Sequence, residues 1–157
     1  MLLDIVIDTN VLVHSQNPQE PRCALSRVFL ERLRDSTSKL AVDEGFSLDR
    51  AQNNSFIGYE YIENLSFGSL AFSIVVKMAS SKRIDFVPKR APEREQRIIN
   101  QHIRKKVDRV FVGVAYNSQE HMLVSHDFED FQEAKRQYFR REINVNICEA
   151  GDVIGNF

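Results

Sequence analysis

Four acidic side chains stand where strands are predicted to end or helices to begin, or within a predicted helix. Asp8 follows the apolar run Met1–Ile7, and Asp127 follows a later apolar run. Asp108 begins a segment with apolar residues at helical spacing, and Glu60 lies within another such segment. Carboxylates gathered at one site repel each other unless a cation joins them. Oxygen ligands without a His or Cys set favour Mg²⁺ or Mn²⁺ over Zn²⁺.

A divalent ion at such a group would bring useful chemistry. Mg²⁺ usually takes only one or two carboxylates and keeps several waters. A bound water loses its proton more easily, and a paired site can hold attacking and leaving oxygens in line. The residue types therefore suit attack by a metal-bound water on a substrate held in line with it.

Alternating strand and helix patterns position these acids. Short apolar segments predict strands at Met1–Ile7, Lys39–Asp43, Ile84–Val87, His121–Ser125 and Ile143–Ile147. Helical spacing and capping residues predict helices over Ala24–Asp35, Phe56–Leu65, Leu70–Ala79, Glu93–Lys105, Asp108–Asn117 and Glu129–Phe139. This order predicts a three-layer α/β/α sandwich with a mostly parallel, five-stranded sheet. Strand ends and helix starts then meet at one edge of the sheet.

Length and composition narrow the class of protein. Residues 1–157 are predicted to form a single domain, and 43% hydrophobic residues can build a full core. The net charge of −1 excludes a strongly basic coat over the whole surface. Two cysteines without a C-x-x-C pair cannot make a disulfide framework or a zinc knuckle. No signal peptide or membrane span is evident, so a soluble cytoplasmic protein is expected.

Three segments carry a resemblance to a known family. They are Ile7–Leu12, Asp108–Ala115 and Leu123–Phe131, and the last contains the pattern Ser-x-Asp-x-x-Asp-Phe after a predicted strand. The chain resembles the PIN (PilT N-terminus) domain nucleases, a fold shared with flap endonucleases and VapC-type toxins. Together with the strand order, the resemblance spans nearly the whole chain.

The resemblance implies a divalent-metal-dependent ribonuclease that uses Mg²⁺ or Mn²⁺. It implies that Asp8, Asp108 and Asp127 bind the metal, with Asp130 as an auxiliary acid. RNA is the implied substrate, and similarity to the toxins leaves open an antitoxin protein partner and a homodimer. The alternative is a catalytically inactive PIN-like module that binds RNA or a protein.

The second acid of the catalytic set departs from the commoner family pattern. The family usually places it on a helix soon after strand two, whereas a long polar loop follows Asp43 here. Glu60 is the preferred candidate because Glu60 and Asn64 share one face of a predicted helix. Glu63 is the next candidate, and Asp43 and Glu44 stay open. The predicted catalytic residues are therefore Asp8, Glu60, Asp108 and Asp127.

A basic segment predicts an anionic partner. Lys82–Arg109 contains ten Lys or Arg and four acids, which gives a local charge of +6 in a chain whose total is −1. Such a strip beside an acidic site could bind phosphates and draw a nucleic-acid strand inward. The predicted nucleic-acid-binding residues are Asn10, Arg104, Lys105, Lys106 and Arg109.

Each acid also has a purely structural interpretation. Asp8 and Asn10 could cap the following segment, and Asp108 could complement a helix dipole. Asp127 and Asp130 could cap the next helix, whereas Glu60 and Glu63 would lie on a solvated face. His126 is expected to be a solvated loop residue.

Other hydrolases and phosphoacceptors fit less well. An aspartyl phosphatase would need a second Asp two residues after Asp8, where Asn10 stands, and no late strand-end Lys suggests a receiver domain. No Walker loop, Rossmann glycine set or Gly-x-Ser-x-Gly elbow occurs.

Overall fold

A five-stranded, all-parallel sheet forms the centre of the molecule. The computed structural model describes residues 1–157. The strands are β1 (Asp4–Ile7), β2 (Lys39–Asp43), β3 (Ile84–Val87), β4 (Met122–Val124) and β5 (Asn146–Cys148). Their spatial order is β3-β2-β1-β4-β5. The predicted three-layer α/β/α architecture is therefore confirmed, and the sheet is entirely parallel.

Helices connect the strands and cover the sheet. They are α1 (Thr9–His14), α2 (Cys23–Asp35), α3 (Phe56–Asn64), α4 (Leu70–Ser80), α5 (Glu93–His102), α6 (Lys106–Asn117), α7 (Glu133–Ile143) and α8 (Ala150–Val153). A 3₁₀ turn, Ile154–Asn156, follows α8. Helix α6 packs against β1, β2 and β4, with α3 and α5 beside it, while α2 packs on α4 and α8. None of these helices combines the length and apolar character needed to cross a bilayer.

Several predicted boundaries are wrong. The predicted helix Glu129–Phe139 begins only at Glu133, because the preceding residues form a turn. Ile143 is predicted to begin the last strand but instead ends α7, where Asn144 adopts a left-handed conformation with φ of 56°. Such a residue commonly ends a helix. The short helices α1 and α8 are absent from the sequence-based prediction.

Strand β1 is the middle strand of the sheet, and every one of its residues is buried. Asp4 is only 1% exposed, yet its carboxylate is satisfied. Its two oxygens accept the backbone N–H groups of Gln119 at 2.8 Å and Glu120 at 3.0 Å. A buried carboxylate needs such partners. Asp4 therefore joins the start of β1 to the loop between α6 and β4.

Helix α3 is held in place by the end of β2. Oδ1 of Asp43 accepts the Ser55 hydroxyl at 2.6 Å and Oδ2 accepts the Phe56 N–H at 2.7 Å. On the next turn, the buried Tyr61 hydroxyl donates to the carbonyl of Ile7 at 2.6 Å. These bonds fix α3 beside the C-terminal end of β1. Asp43 is thus engaged in holding the first turn of α3, where it accepts the N–H groups of Phe56 and Ile57.

Candidate functional site

Three carboxylates converge beside the C-terminal ends of the strands. One oxygen from each of Asp108, Asp127 and Asp130 lies within 4.8 Å of the others. Asp108 comes from the first turn of α6, and the other two belong to the turn between β4 and α7. The parallel sheet brings the two segments together because strand ends and helix starts share one edge. These three residues are named the aspartate cluster below.

The turn after β4 is built around Asp127. Its Oδ1 accepts the N–H groups of Glu129 at 3.1 Å and Asp130 at 2.8 Å, and its own N–H donates to the Ser125 hydroxyl. This carboxylate therefore shapes the turn that presents Asp130. Asp127 caps this turn, so the predicted capping of a helix at Glu129 is wrong.

Asp8 is oriented by two side chains. Its Oδ2 accepts the hydroxyl of Ser125 at 2.7 Å and the amide Nδ2 of Asn10 at 3.1 Å. The Asn10 Oδ1 accepts the backbone N–H of His126 at 3.0 Å. Asn10, predicted to bind nucleic acid, is thus used to join β1 to the turn after β4. Asp8 is not a member of the aspartate cluster. It is linked to Asp127 through the Ser125 hydroxyl, which donates to Asp8 and accepts the backbone N–H of Asp127.

Burial and like charges perturb these acids strongly. Burial raises the pKa of Asp8 to about 6, and the charge of Asp127 adds to the shift. Burial also raises the pKa of Asp108 to about 7, and the charge of Asp8 is the next cause. The Asp130 carboxylate lies 2.7 Å from the Lys105 ammonium, which lowers its pKa. The four aspartates therefore form one interacting group with excess negative charge.

A cavity of about 620 Å³ opens onto this group and is named the acidic cavity. Asp8, Asp108 and Glu60 line it, and Asn64 lies on the same wall as Glu60. Burial raises the pKa of Glu60, and the charge of Glu63 adds to the shift. The predicted face of α3 therefore does turn toward the aspartates.

The other candidates for the second acid lie in different settings. Glu63 is exposed and forms an ion pair with Arg50. Asp43 is buried with its oxygens engaged in holding α3, and Glu44 is exposed. Among the four, only Glu60 lines the acidic cavity.

The predicted basic residues are divided between different surroundings. Lys105 pairs with Asp130, and Lys106 lines the acidic cavity beside it. Arg104 is exposed and takes part in no ion pair. The Arg109 guanidinium donates to the Ile103 carbonyl at 2.6 Å and lines a second cavity. Only the two lysines lie next to the acids.

A histidine pair lies beside the acids and has no counterpart among the predicted site residues. The Nδ1 atoms of His14 and His126 are 3.0 Å apart, and His126 Nε2 accepts the N–H of Ala150 at 3.3 Å. His126 is 6% exposed, so the expectation of a solvated loop residue is wrong. Burial lowers its pKa to about 4, with the charge of His14 as the second cause. The four-residue spacing of Asn10 and His14 would have indicated a shared face, had α1 been predicted.

The donor set fits a hard divalent cation. The aspartate cluster supplies only carboxylate oxygens, as Mg²⁺ and Mn²⁺ prefer. Asp108 Oδ2 is buried without any hydrogen-bond partner. A buried, unpartnered carboxylate oxygen is costly, and a bound cation would remove that cost.

Comparison of the chain with family models, with curated proteins and with solved structures found no match.

Proposed function

We propose that the protein is a hydrolase that cleaves RNA phosphodiester bonds with the help of Mg²⁺ or Mn²⁺. The observation that carries this proposal is the aspartate cluster, whose member Asp108 lines one cavity together with Asp8 and has its Oδ2 buried and unpartnered. Cavities with strongly perturbed carboxylates are candidate catalytic sites.

The aspartate cluster is the set that would hold the ion. Asp108, Asp127 and Asp130 offer converging oxygens, and Asp8 is close enough to influence the pKa of Asp108. A bound divalent ion would supply an activated water and would stabilise charge on the phosphate and the leaving oxygen.

The remaining residues orient the acids and the substrate. Ser125 and Asn10 hold Asp8 with its Oδ2 turned toward them. Glu60, on α3, lines the same cavity and can accept a hydrogen bond from a water or a ribose hydroxyl. Lys106 lines the same cavity and can bind a phosphate oxygen.

The choice of RNA rests on charge and on the sequence resemblance. The segment Lys82–Arg109 carries a local charge of +6, and its C-terminal end borders the acidic cavity. The similarity to PIN-domain nucleases favours RNA over other phosphodiesters. The same proposal includes a role as the toxin of a toxin–antitoxin pair, an antitoxin partner, a homodimer and a cytoplasmic location.

Cleavage assays with matched variants test the proposal. Wild-type protein is incubated with single-stranded RNA and Mg²⁺ or Mn²⁺, beside Asp108→Asn and the control Asp35→Asn. Asp35 is an exposed acid that pairs with the neighbouring Arg34. Asp108→Asn should slow cleavage by about 100-fold or more, and Asp35→Asn should not change it. Equal cleavage by all three proteins overturns the proposal, as does undiminished cleavage in EDTA.

The alternative of an inactive binding module is favoured by one contact. The Lys105 ammonium lies 2.7 Å from Asp130 Oδ2, so a protein cation already neutralises part of the aspartate cluster. Calorimetric titration of Mn²⁺ into wild-type protein and Lys105→Met separates the two functions. A metal-binding enzyme should bind Mn²⁺ in both forms. Binding that appears only in Lys105→Met favours the inactive module.

A further inference from the structure

A second cavity lies beside the first and has the opposite charge. It encloses about 430 Å³ and is named the basic cavity. Four cationic side chains line it, those of Lys89, Arg90, Lys106 and Arg109, and no acidic residue does. Lys106 lines both cavities, so the two are neighbours around the first turn of α6.

The cations of the basic cavity have no acidic partners. None of the four takes part in an ion pair. On the neighbouring helix α5, by contrast, Arg94 pairs with Glu95 and Arg97 pairs with Glu93. The two arginines on α5 are therefore neutralised by acids, whereas the four cations that line the basic cavity are not. Uncompensated cations around one cavity are suited to an anion.

The loop that carries Lys89 and Arg90 is held in place by contacts to α5 and α6. Nδ2 of Asn117 donates to the carbonyls of Pro88 at 2.7 Å and Arg90 at 2.9 Å. The buried Gln96 accepts the N–H of Ala91 at 2.9 Å. Gly113 lets α6 approach the loop so closely that a Cβ there would collide with the Lys89 carbonyl. The loop backbone is therefore positioned before any ligand arrives.

An aromatic ring holds two of the ammonium groups near each other. The Nζ atoms of Lys89 and Lys106 lie 4.7 Å and 5.3 Å from the centroid of the Phe56 ring. Cation–π contacts of this kind attract an ammonium without neutralising it. The Arg109 guanidinium is held by the Ile103 carbonyl, which leaves its positive charge unpaired as well. Preorganised charges of this kind reduce the entropy lost on binding.

We propose that the basic cavity binds a phosphate group of the RNA substrate, beside the bond that the acidic cavity cleaves. This inference rests on the proposed function and extends it to a second binding site. Phosphate is the expected anion because its oxygens accept from both ammonium and guanidinium groups. The shared Lys106 places the bound phosphate next to the phosphate that enters the acidic cavity.

A binding experiment without metal tests the inference apart from catalysis. Fluorescence anisotropy in EDTA measures the Kd of a labelled single-stranded RNA for the wild type and for the double variant Lys89→Gln with Arg90→Gln. The matched control is Arg94→Gln with Arg97→Gln, which removes the same charge from exposed, ion-paired residues nearby. The cavity variant should weaken binding about 10-fold or more and the control about 2-fold or less. The slope of log Kd against log salt should fall by about 0.7 for each phosphate that the cavity variant no longer neutralises.

Two RNA ends distinguish the source of the phosphate. The RNA is supplied with a 5′-phosphate or a 5′-hydroxyl. If the wild type prefers the phosphorylated end and the cavity variant loses that preference, the cavity binds a terminal phosphate. If both RNAs bind equally and both weaken in the cavity variant, it binds a backbone phosphate. Equal weakening by the cavity and control variants, or no weakening, overturns the inference.

Failure of the function and failure of the inference give different results. If wild type cleaves no RNA but the cavity variant still loses binding selectively, the proposed nuclease fails and the phosphate site stands. If wild type cleaves RNA and the cavity variant retains its Kd and KM, the phosphate site fails and the nuclease stands. Circular dichroism melting of each variant confirms that folding is unaffected.

Discussion

The two cavities around the first turn of α6 hold opposite charges in opposite ways. Asp8 and Asp108, which line the acidic cavity, are buried, and burial raises the pKa values of both, with the charges of neighbouring aspartates adding to the shifts. In the basic cavity, Lys89 and Arg90 are exposed side chains on a loop whose backbone is tied down. A cation bound in the acidic cavity would therefore stabilise the ionised carboxylates. The basic cavity, by contrast, places exposed cations on an anchored backbone, which lowers the stability of the fold little.

This difference gives separate expectations for function and stability. Removing an acid should harm catalysis but relieve electrostatic repulsion, because binding sites are often kept at the expense of stability. Removing an exposed cation should weaken ligand binding without much change in folding. Variants of each cavity therefore test whether the acids and the cations differ in this way.

The largest expected effect concerns the second acid. Glu60→Gln removes the carboxylate that lines the acidic cavity, whereas Glu63→Gln removes an exposed one on the same helix. Glu60→Gln should lower kcat about 100-fold, and Glu63→Gln should change it about 3-fold or less. Initial rates of RNA cleavage at saturating substrate make the measurement. If Glu63→Gln is the more damaging change, Glu60 is not the second acid of the site.

The next effect concerns the frame of the basic cavity. Gly113→Ala places a Cβ against the Lys89 carbonyl, and backbone on both sides must shift. Overpacking of this kind should cost about 1–3 kcal/mol of unfolding free energy. It should also weaken RNA binding, because the loop carrying Arg90 moves. Urea denaturation and anisotropy measure the two effects, with Gly155→Ala as the control because open space surrounds Gly155. Unchanged stability would show that the loop is less tightly fitted than its contacts indicate.

A smaller effect concerns Asp108 and the way in which the free energy of unfolding depends on pH. The pKa of Asp108 is raised from 3.8 to about 7, so the folded protein keeps this proton where the unfolded chain has lost it. Stability from this group is present below about pH 4 and is lost as pH rises through 7. Asp108→Asn cannot ionise, and its amide can still donate to Asp130, whose hydrogen bond with Asp108 helps to raise the Asp108 pKa. The variant should therefore gain on the order of 1–3 kcal/mol over wild type at pH 8 and nothing at pH 4.

Thermal melting at both pH values in EDTA measures that gain. Adding Mn²⁺ at pH 8 should raise the Tm of wild type and narrow the difference, because the ion favours the ionised carboxylate. Asp35→Asn serves as an exposed control without this pH dependence. A variant less stable than wild type at pH 8 would show that Asp108 is not under electrostatic strain.

The smallest expected effect concerns the orientation of Asp8. Its hydrogen bond from Ser125 lowers a pKa that burial has raised to about 6. Ser125→Ala should therefore raise the pKa of Asp8 further and move the acidic limb of the kcat profile upward by less than about one pH unit. Ser125→Thr retains a hydroxyl and should restore the profile. A change in rate without a shift of the acidic limb contradicts the orienting role.

Much of the fold could be predicted, but its local boundaries could not. Apolar runs such as Ile5–Ile7 indicate buried strands because a parallel sheet hides both faces. The start of α7 differs from its prediction because Asp127 closes a turn that has the composition of a helix cap. The short α1 could not be predicted because it has less than two turns of helical periodicity.

The sequence indicates which acids belong to the candidate site but not the distances between their side chains and their neighbours. Strand-end positions indicated Asp8 and Asp127, and helical spacing indicated the face of Glu60. The ion pair of Lys105 with Asp130 and the turn of Arg109 toward the basic cavity depend on how α6 sits against the loops. Local periodicity holds no information about those distances.

The amino-acid sequence by itself determined the alternation of strands and helices and the acids at their ends, because these follow from local hydrophobic patterns and capping preferences. Only the tertiary structure decided which of those groups meet. Asp8 and Ser125 are 117 positions apart and become partners because β1 pairs with β4. The burial that perturbs Asp108 and the separation of the cations from the acids arise from that packing, since charge and solvation depend on distance in space rather than on distance along the chain.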